Sequence, residues 1–434
     1  MTIALGMLVL GVAVALRLRR KSAFLVAVST MVALLASAAA PSPLYPVYRQ
    51  LWGFSAFTLT VIFAVYVAAL LATLLTAGSL SDHIGRKPVV AIGLILLAAS
   101  MLLFVGAHGV GGLIAARVLQ GVATGLLTGA VSAMIVDLEP RPGAGALANG
   151  ISLMMGMAIG SVLSGGLLQW APWPRYLIFW ILLAGDLLLA LLVLLMPALP
   201  APDRTGSRLR AALISLRPSA GVTGEVRPAF LAQLPAMAAA FALSGLYLSL
   251  ASSIVGGLLG VANHFLAGTV LAAFYASAAL APPIYRVLPE SRRQPAGFGA
   301  LGVGVLITMI AALTHSLPAD LIGSVLAGLG FGLTWSTVMS AMTAATPAER
   351  RGQTFAAVFV ASYIAFSVPA LIAGLAITHV GMLPTVVGYV CFELLLVIAA
   401  SLAAVVQVRR RRRTLRRQLE EELAVGTTQA QPVS

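Results

Sequence analysis

Gly78-Ser79-Leu80-Ser81-Asp82-His83-Ile84-Gly85-Arg86-Lys87-Pro88 is a short polar island between two long apolar runs, 57–79 and 89–107. Its glycines permit a tight reversal of the chain. Asp82 can cap backbone N–H groups or pair with a base, and Arg86 can reach an acid or a helix C-terminus. Pro88 stands where the next helix begins, because the N–H it lacks is one that a first turn leaves unpaired. The island therefore reads as the loop between two helices that each cross a membrane.

The pattern extends outward over the whole chain. Sixty per cent of the 434 residues are apolar and 9% are charged, against about 45–50% and about 25% in a soluble domain. So few charges cannot cover a soluble fold of this size. A crossing needs about 20 apolar residues, and the backbone groups of each must pair within its own helix. Twelve stretches qualify: 24–41, 57–79, 89–107, 111–135, 147–170, 177–198, 229–254, 262–285, 296–315, 319–342, 354–377 and 384–407. The expected fold is all-α, with twelve transmembrane helices in two six-helix bundles.

Charge orients the bundle. Threaded this way, 24 of the 27 lysines and arginines fall on one side, including Arg17 to Lys21, Arg86, Lys87, five arginines between Arg204 and Arg227, and Arg409 to Arg413. The other side holds Arg49 and Arg175, and Arg117 lies within a span. By the positive-inside rule the basic side is cytoplasmic, with both termini inside. The formal charge of +14 invites a nucleic-acid reading. The Arg409 run follows an apolar span directly, however, and is better read as an anchor drawn to anionic membrane lipids. No nucleic-acid partner is expected. The single cysteine, Cys391, excludes an intrachain disulfide and any cysteine-based metal cluster. Met1 to Leu16 is apolar but short and has no preceding positive charge. It is read as an interfacial helix or a misassigned start rather than a thirteenth crossing.

The expected organisation is an extension over 1–22, a bundle over 23–198, a basic linker over 199–228, a second bundle over 229–407 and a basic, polar tail over 408–434, disordered at its end. The linker has room for one short amphipathic helix around Leu209 to Leu216. The halves echo one another at an offset of 207 residues: Gly121 and Gly328, Gly125 and Gly332, Pro140 and Pro347, Gly145 and Gly352. Such a repeat predicts a pseudo-twofold axis along the membrane normal.

The loop at Gly78 to Pro88 resembles the major facilitator superfamily, whose signature in this position is G-x-L-x-D-x-x-G-R-K. The resemblance implies a conformational gate made of Gly78, Asp82, Gly85, Arg86 and Lys87, which favours cytoplasmic closure through contacts near the eleventh helix and near Asp137 at the end of the fourth. The matching place in the second half, Tyr285 to Glu290, has lost the pattern, so the latch should be asymmetric. Arg117-Val118-Leu119-Gln120-Gly121 resembles the superfamily's R-x-x-Q-G, which implies a part in proton coupling or substrate response for Arg117 and Gln120. The physical argument agrees, since an arginine in hydrocarbon costs about 2.5–3.5 kcal/mol unless it finds a partner. The alternative is that Arg117 snorkels to the nearer surface. Gly156 to Gly166 resembles the antiporter motif G-x-x-x-G-P-x-x-G-G, with Ser161 in place of the proline and Ser164 in place of a glycine. Gly121, Gly125, Gly156, Gly160, Gly165 and Gly166 also suit close helix packing.

Asp186 and Glu393 read as the acids deep in the membrane and are candidate proton carriers. The resemblance argues the other way, because the sixth and twelfth helices of the family sit outside the central cavity. The segment Ala40 to Tyr48 is broken by prolines and is expected to form a vestibule. Tyr45, Phe241, Tyr247 and Trp335 are candidates to line the substrate cavity. The chain has no G-x-x-x-x-G-K loop and no H-E-x-x-H, so neither cofactor nor metal is expected, and the protein does not read as an enzyme.

The resulting expectation is a monomeric secondary transporter of the bacterial inner membrane. It works by alternating access and exports a small lipophilic or amphiphilic solute such as a drug, with protons as coupling ion. The rival readings are a proton-coupled importer of a neutral nutrient such as a sugar, and a non-transporting receptor or scaffold.

Overall fold

The structure, a computed structural model, describes residues 20–78, 80–197, 221–347 and 350–429, with side chains up to Arg409 and without that of Asp82. Among the described residues, twelve helices are long and apolar enough to cross a membrane. In chain order they are α1 Arg20–Ala39, α2 Ala56–Ala77, α3 Arg86–Val105, α4 Val110–Asp137, α5 Ala144–Trp170, α6 Leu177–Leu194, α7 Arg227–Gly257, α8 His264–Ala279, α9 Glu290–Thr314, α10 Leu317–Ala345, α11 Arg351–Val380 and α12 Met382–Gln429. The expected extension over 1–22 and the linker helix near Leu209 lie largely or wholly outside the described residues.

Helix starts follow capping chemistry. The side chains of Ser55, Asn263 and Ser316 accept backbone N–H groups of the first turns of α2, α8 and α10. After α1 the prolines break the helix as expected. The chain passes through a short 3-10 turn, Ser42–Leu44, and resumes as the eight-residue helix Tyr45–Trp52. One expectation fails: the stretch from Glu420, expected to be disordered, is helical as far as Gln429, where α12 ends. Arg, Leu, Gln and Glu dominate the residues from Arg409 that lead into it, and all are strong helix formers.

Packing reveals the repeat. In the first half α1 packs on α4, α5 and α6, α4 on α2 and α3, and α3 on α6. In the second half α7 packs on α10, α11 and α12, α10 on α8 and α9, and α9 on α12. Each contact recurs six helices later. The offset holds in the backbone too, since α7, α10 and α11 each begin 207 residues after α1, α4 and α5. The halves meet through α5 against α8 and α2 against α11, two pairs that the same symmetry exchanges.

Call the side of Arg20 and Asp137 the basic side. At the opposite, far side the halves are closed. Ser42 Oγ donates to the Leu248 carbonyl at 2.6 Å, and the His264 N–H donates to Gln169 Oε1 at 2.9 Å. Deeper in, Phe63 and Phe366 lie 5.0 Å apart between ring centroids. On the basic side Arg286 Nη2 reaches the Gly143 carbonyl at 3.2 Å. Leu187, Leu188 and Leu191 on α6 and Leu395, Ile398 and Leu402 on α12 are exposed, which is the apolar outer face a lipid-facing helix needs.

Candidate functional site

On the basic side, Leu80–Ile84 form one helical turn, and Gly85 follows with φ +96°. A side chain rarely tolerates that angle, so glycine is needed to swing the chain into α3. Gly78 ends α2, its N–H bonded to the Leu74 carbonyl at 3.1 Å. Arg86 forms an ion pair with Asp137 and donates to the Ala133 carbonyl at 2.7 Å. Lys87 Nζ donates to the carbonyls of Leu194 and Met196 at 3.2 and 2.6 Å, capping the C-terminus of α6. These contacts tie α3, α4 and α6 of one half together. The side chain of Asp82 lies outside the described residues.

At the far side, the break in α1 explains Arg117. Pro41 has no N–H to give the Ser37 carbonyl, and Gln120 Nε2 takes its place at 2.7 Å. Arg117 Nη1 donates to the Ala38 carbonyl at 3.1 Å and to Gln120 Oε1 at 2.6 Å, while its Nε donates to the Tyr45 hydroxyl at 2.8 Å. The rings of Tyr45, Tyr66 and Phe104 surround the guanidinium at 5.2–5.7 Å. The spacing i, i+3 puts Arg117 and Gln120 on one face of α4, and together they cap a helix end on α1. Ser164 Oγ accompanies them, donating to the Ala40 carbonyl at 2.6 Å.

The glycines mark helix crossings. A Cβ on Gly125 would lie 2.7 Å from the Leu70 carbonyl oxygen, and one on Gly332 would lie 2.6 Å from that of Ala278. The repeated glycines therefore perform the same task, α4 on α2 and α10 on α8. Gly121 likewise abuts Tyr66 and Ala69, and Gly156 and Gly160 abut Val32 and Ala36 on α1. Gly165 meets His264 and Gly268 across the interface between halves. Gly166 departs from expectation, since a Cβ there would make only ordinary contacts, the nearest at 3.5 Å. It sits one residue round the helix from the crossing.

Between the halves lies an aromatic patch. Phe241 on α7 is 4.9 Å from Trp335 on α10, 5.8 Å from Phe331 and 6.0 Å from Tyr363 on α11, while Phe359 is 6.0 Å from Trp335. Phe241, Trp335, Phe359 and Tyr363 are only partly buried. Phe241, Trp335 and Tyr363 belong to a hydrophobic cluster that includes Phe63, Tyr66 and Met154 of the first half.

The sequence profile of the Major Facilitator Superfamily matches residues 26–370, most of the chain. The chain belongs to the Major Facilitator Superfamily. Within this superfamily it is 31% identical over 146 residues to a protein of Shewanella oneidensis named multidrug resistance protein MdtL, covering 33% of this chain and 36% of the relative. It is 30% identical over 98 residues to a Staphylococcus aureus protein named quinolone resistance protein NorA, covering 23% and 25%. The matches thus span about a third and a quarter of those relatives' lengths. A bacterial homologue of the human lysosomal transporter Spinster, solved in an inward-facing and unoccupied conformation, superposes with a TM-score of 0.68 at 14% identity, covering 88% of this chain and 96% of that one. At that identity the likeness concerns the fold.

Several site expectations for this superfamily member need correction. Arg117 does not snorkel; it is wholly buried because the opened end of α1 supplies its partners inside the protein. Tyr45 is wholly buried against Arg117 rather than open to a vestibule. Tyr247 stacks on Phe274 at 4.2 Å and bonds Ser324 at 2.9 Å, facing the interior of the second bundle and not the aromatic patch. Asp186 and Glu393 are wholly buried, with all four carboxylate oxygens unpartnered. They are joined by Asp320, which the sequence reading passed over and which is 8% exposed in the first turn of α10. An acid in a first turn reads as ordinary dipole compensation, which hides it. Phe359 and Tyr363 were also missed, although their i, i+4 spacing with Phe366 one turn further along marks one face of a helix.

Proposed function

We propose that this superfamily member is a proton-coupled exporter of small lipophilic or amphiphilic solutes, working by alternating access in a bacterial inner membrane with its basic side cytoplasmic. The observation that carries the reading is the partly exposed aromatic patch of Phe241, Trp335, Phe359 and Tyr363 at the meeting of the halves. Aromatic faces bind apolar and cationic solutes with little demand for hydrogen bonding, whereas a sugar site needs several converging polar groups. The resistance proteins among the relatives add support. The closed far side is the state in which a solute from the cytoplasm would be received.

Inside-out vesicles with an imposed pH gradient test the reading, with ethidium, a phenicol and a hexose as probes. Gradient-driven accumulation of ethidium or the phenicol is expected. Accumulation of the hexose alone, in right-side-out vesicles, would reverse the assignment to import. Phe241→Ala is expected to raise the ethidium KM about threefold to tenfold, the worth of an aromatic contact, with little change in maximal rate.

The loop of Gly78, Asp82, Gly85, Arg86 and Lys87, together with Asp137, serves as the gate on the cytoplasmic side. The ion pair of Arg86 and Asp137 is partly exposed, at 26% and 31%, so its worth to folding is at most about 1 kcal/mol. Asp137→Asn is therefore expected to leave thermal unfolding almost unchanged and yet slow ethidium transport severalfold. Equal losses in both measurements would make the pair structural only.

A further inference from the structure

Inside the second bundle, away from the aromatic patch, lies a cavity of about 40 Å³ whose polar lining is Tyr247, Thr308, Asp320, Tyr389 and Glu393. A water needs about 10–15 Å³, so about three fit. The rest of the lining is aliphatic, and no basic side chain is among the residues that form it. The titratable groups facing Glu393 are thus Tyr247 from α7, Asp320 from α10 and Tyr389 from α12. Tyr389 spends its hydrogen on the Ala242 carbonyl at 2.6 Å, which leaves its oxygen an acceptor.

Glu393 itself is wholly buried, and neither carboxylate oxygen has a partner. Ionised and dry, it would be an uncompensated charge. It can give up or take a proton only through water in the cavity. The cavity also has a direction. Asp320 lies three residues into α10 from Leu317 at the far side, about 4.5 Å along its helix, while Glu393 lies eleven residues into α12 from Met382, about 16 Å along its own, and so sits about 12 Å deeper.

The internal repeat supplies an independent comparison. Asp186 and Glu393 occupy equivalent places, 207 residues apart. The positions equivalent to Tyr247, Thr308, Asp320 and Tyr389 are Ala40, Met101, Leu113 and Leu182, all apolar and buried. Both halves therefore hold an acid at one scaffold position, but only the second surrounds it with four polar side chains converging on a cavity. Burying polar groups costs stability unless something repays it with hydrogen bonds, and water is the ligand that this set of hydroxyls and carboxyls suits.

We infer that this chamber is a proton-uptake site of the second half, reached from the far side past Asp320 and ending on Glu393. Hydronium arriving through the chamber protonates the Glu393 carboxylate and leaves water. The route is separate from the solute path, so protons can be bound while the halves are closed at the far side. The inference rests on the proton-coupled reading and names where its proton is held.

Infrared difference spectroscopy of the full chain in liposomes, on exchange from H2O to D2O at neutral pH, reads the site directly. The wild type is expected to show a protonated-carboxyl band that shifts on exchange and is missing in Glu393→Gln. Asp320→Asn should keep the band but slow its exchange about tenfold or more, the worth of a positioned proton relay. An unchanged spectrum in Glu393→Gln, or exchange in Asp320→Asn as fast as wild type, overturns the proposal. Glu393→Gln should unfold thermally at the same temperature as wild type by circular dichroism, and so report a folded protein. Ethidium accumulation under a pH gradient is measured alongside. A wild type that exchanges the band but fails to accumulate ethidium sinks coupled export and leaves the site standing.

Discussion

Arg117→Ala is expected to lower unfolding stability by about 3–5 kcal/mol, at the top of the range for single substitutions, and to cut ethidium flux about 100-fold. The stability loss follows from what the guanidinium leaves behind. The Tyr45 hydroxyl, the Ala38 carbonyl and the Gln120 amide oxygen would all lose a donor in a wholly buried place, each at about 1–3 kcal/mol. The transport loss follows from position. Arg117 holds the broken end of α1, and one residue past that break Ser42 bonds Leu248 of the other half, so the far-side contact depends on the cap. Arg117→Lys keeps the charge but has no planar fork to grip Tyr45, Ala38 and Gln120 together, and should fall between the two. Thermal unfolding by circular dichroism and efflux from loaded vesicles decide the matter. An alanine variant as stable as wild type would show that the network carries little of the fold.

Gly165→Val is expected to reduce turnover about 30-fold or more by opposing closure at the far side, with the fold intact. A Cβ there would lie 2.7 Å from the His264 carbonyl oxygen and 3.2 Å from the Gly268 Cα. Both are backbone atoms of the other half, which cannot step aside as a side chain can. Overpacking of this kind costs about 1–3 kcal/mol, and because it arises only when α5 and α8 are pressed together, the whole of it falls on the closed state. The neighbouring Gly166→Ala is the control, with room for its methyl. Spin labels on Ser55→Cys and His379→Cys, both exposed at the far side, in a Cys391→Ser background would report the distance between halves. Longer distances are expected for Gly165→Val only. Identical distances in the two glycine variants would remove this crossing from the gating motion.

The spans were legible in the sequence because hydrocarbon imposes one rule on every crossing, and the 207-residue echo was legible because helix crossings repeat their demand for glycine. The partners of Arg117 were not. Tyr45 is 72 residues away, and only the folded α1 shows that Pro41 frees the carbonyl that Gln120 then takes. Asp320 was hidden for the opposite reason, since its local setting offers a complete and ordinary explanation. Asp186 and Glu393 illustrate a middle case: their depth could be read from hydropathy, but only the packed second bundle shows that one of them borders a cavity. The same offset that paired the glycines also pairs these two acids, and extending it to Leu113 and Asp320 would have pointed to the difference between the halves.

The 48-residue α12 is about 72 Å long at 1.5 Å per residue, so about 40 Å of it stands clear of a hydrocarbon layer about 30 Å thick. A rod of that length, continuous with the second bundle, is a lever arm. One degree of rocking of the bundle would sweep its tip through about 0.7 Å, so angular motion at the membrane would become a displacement that a dye pair at the tip could sense.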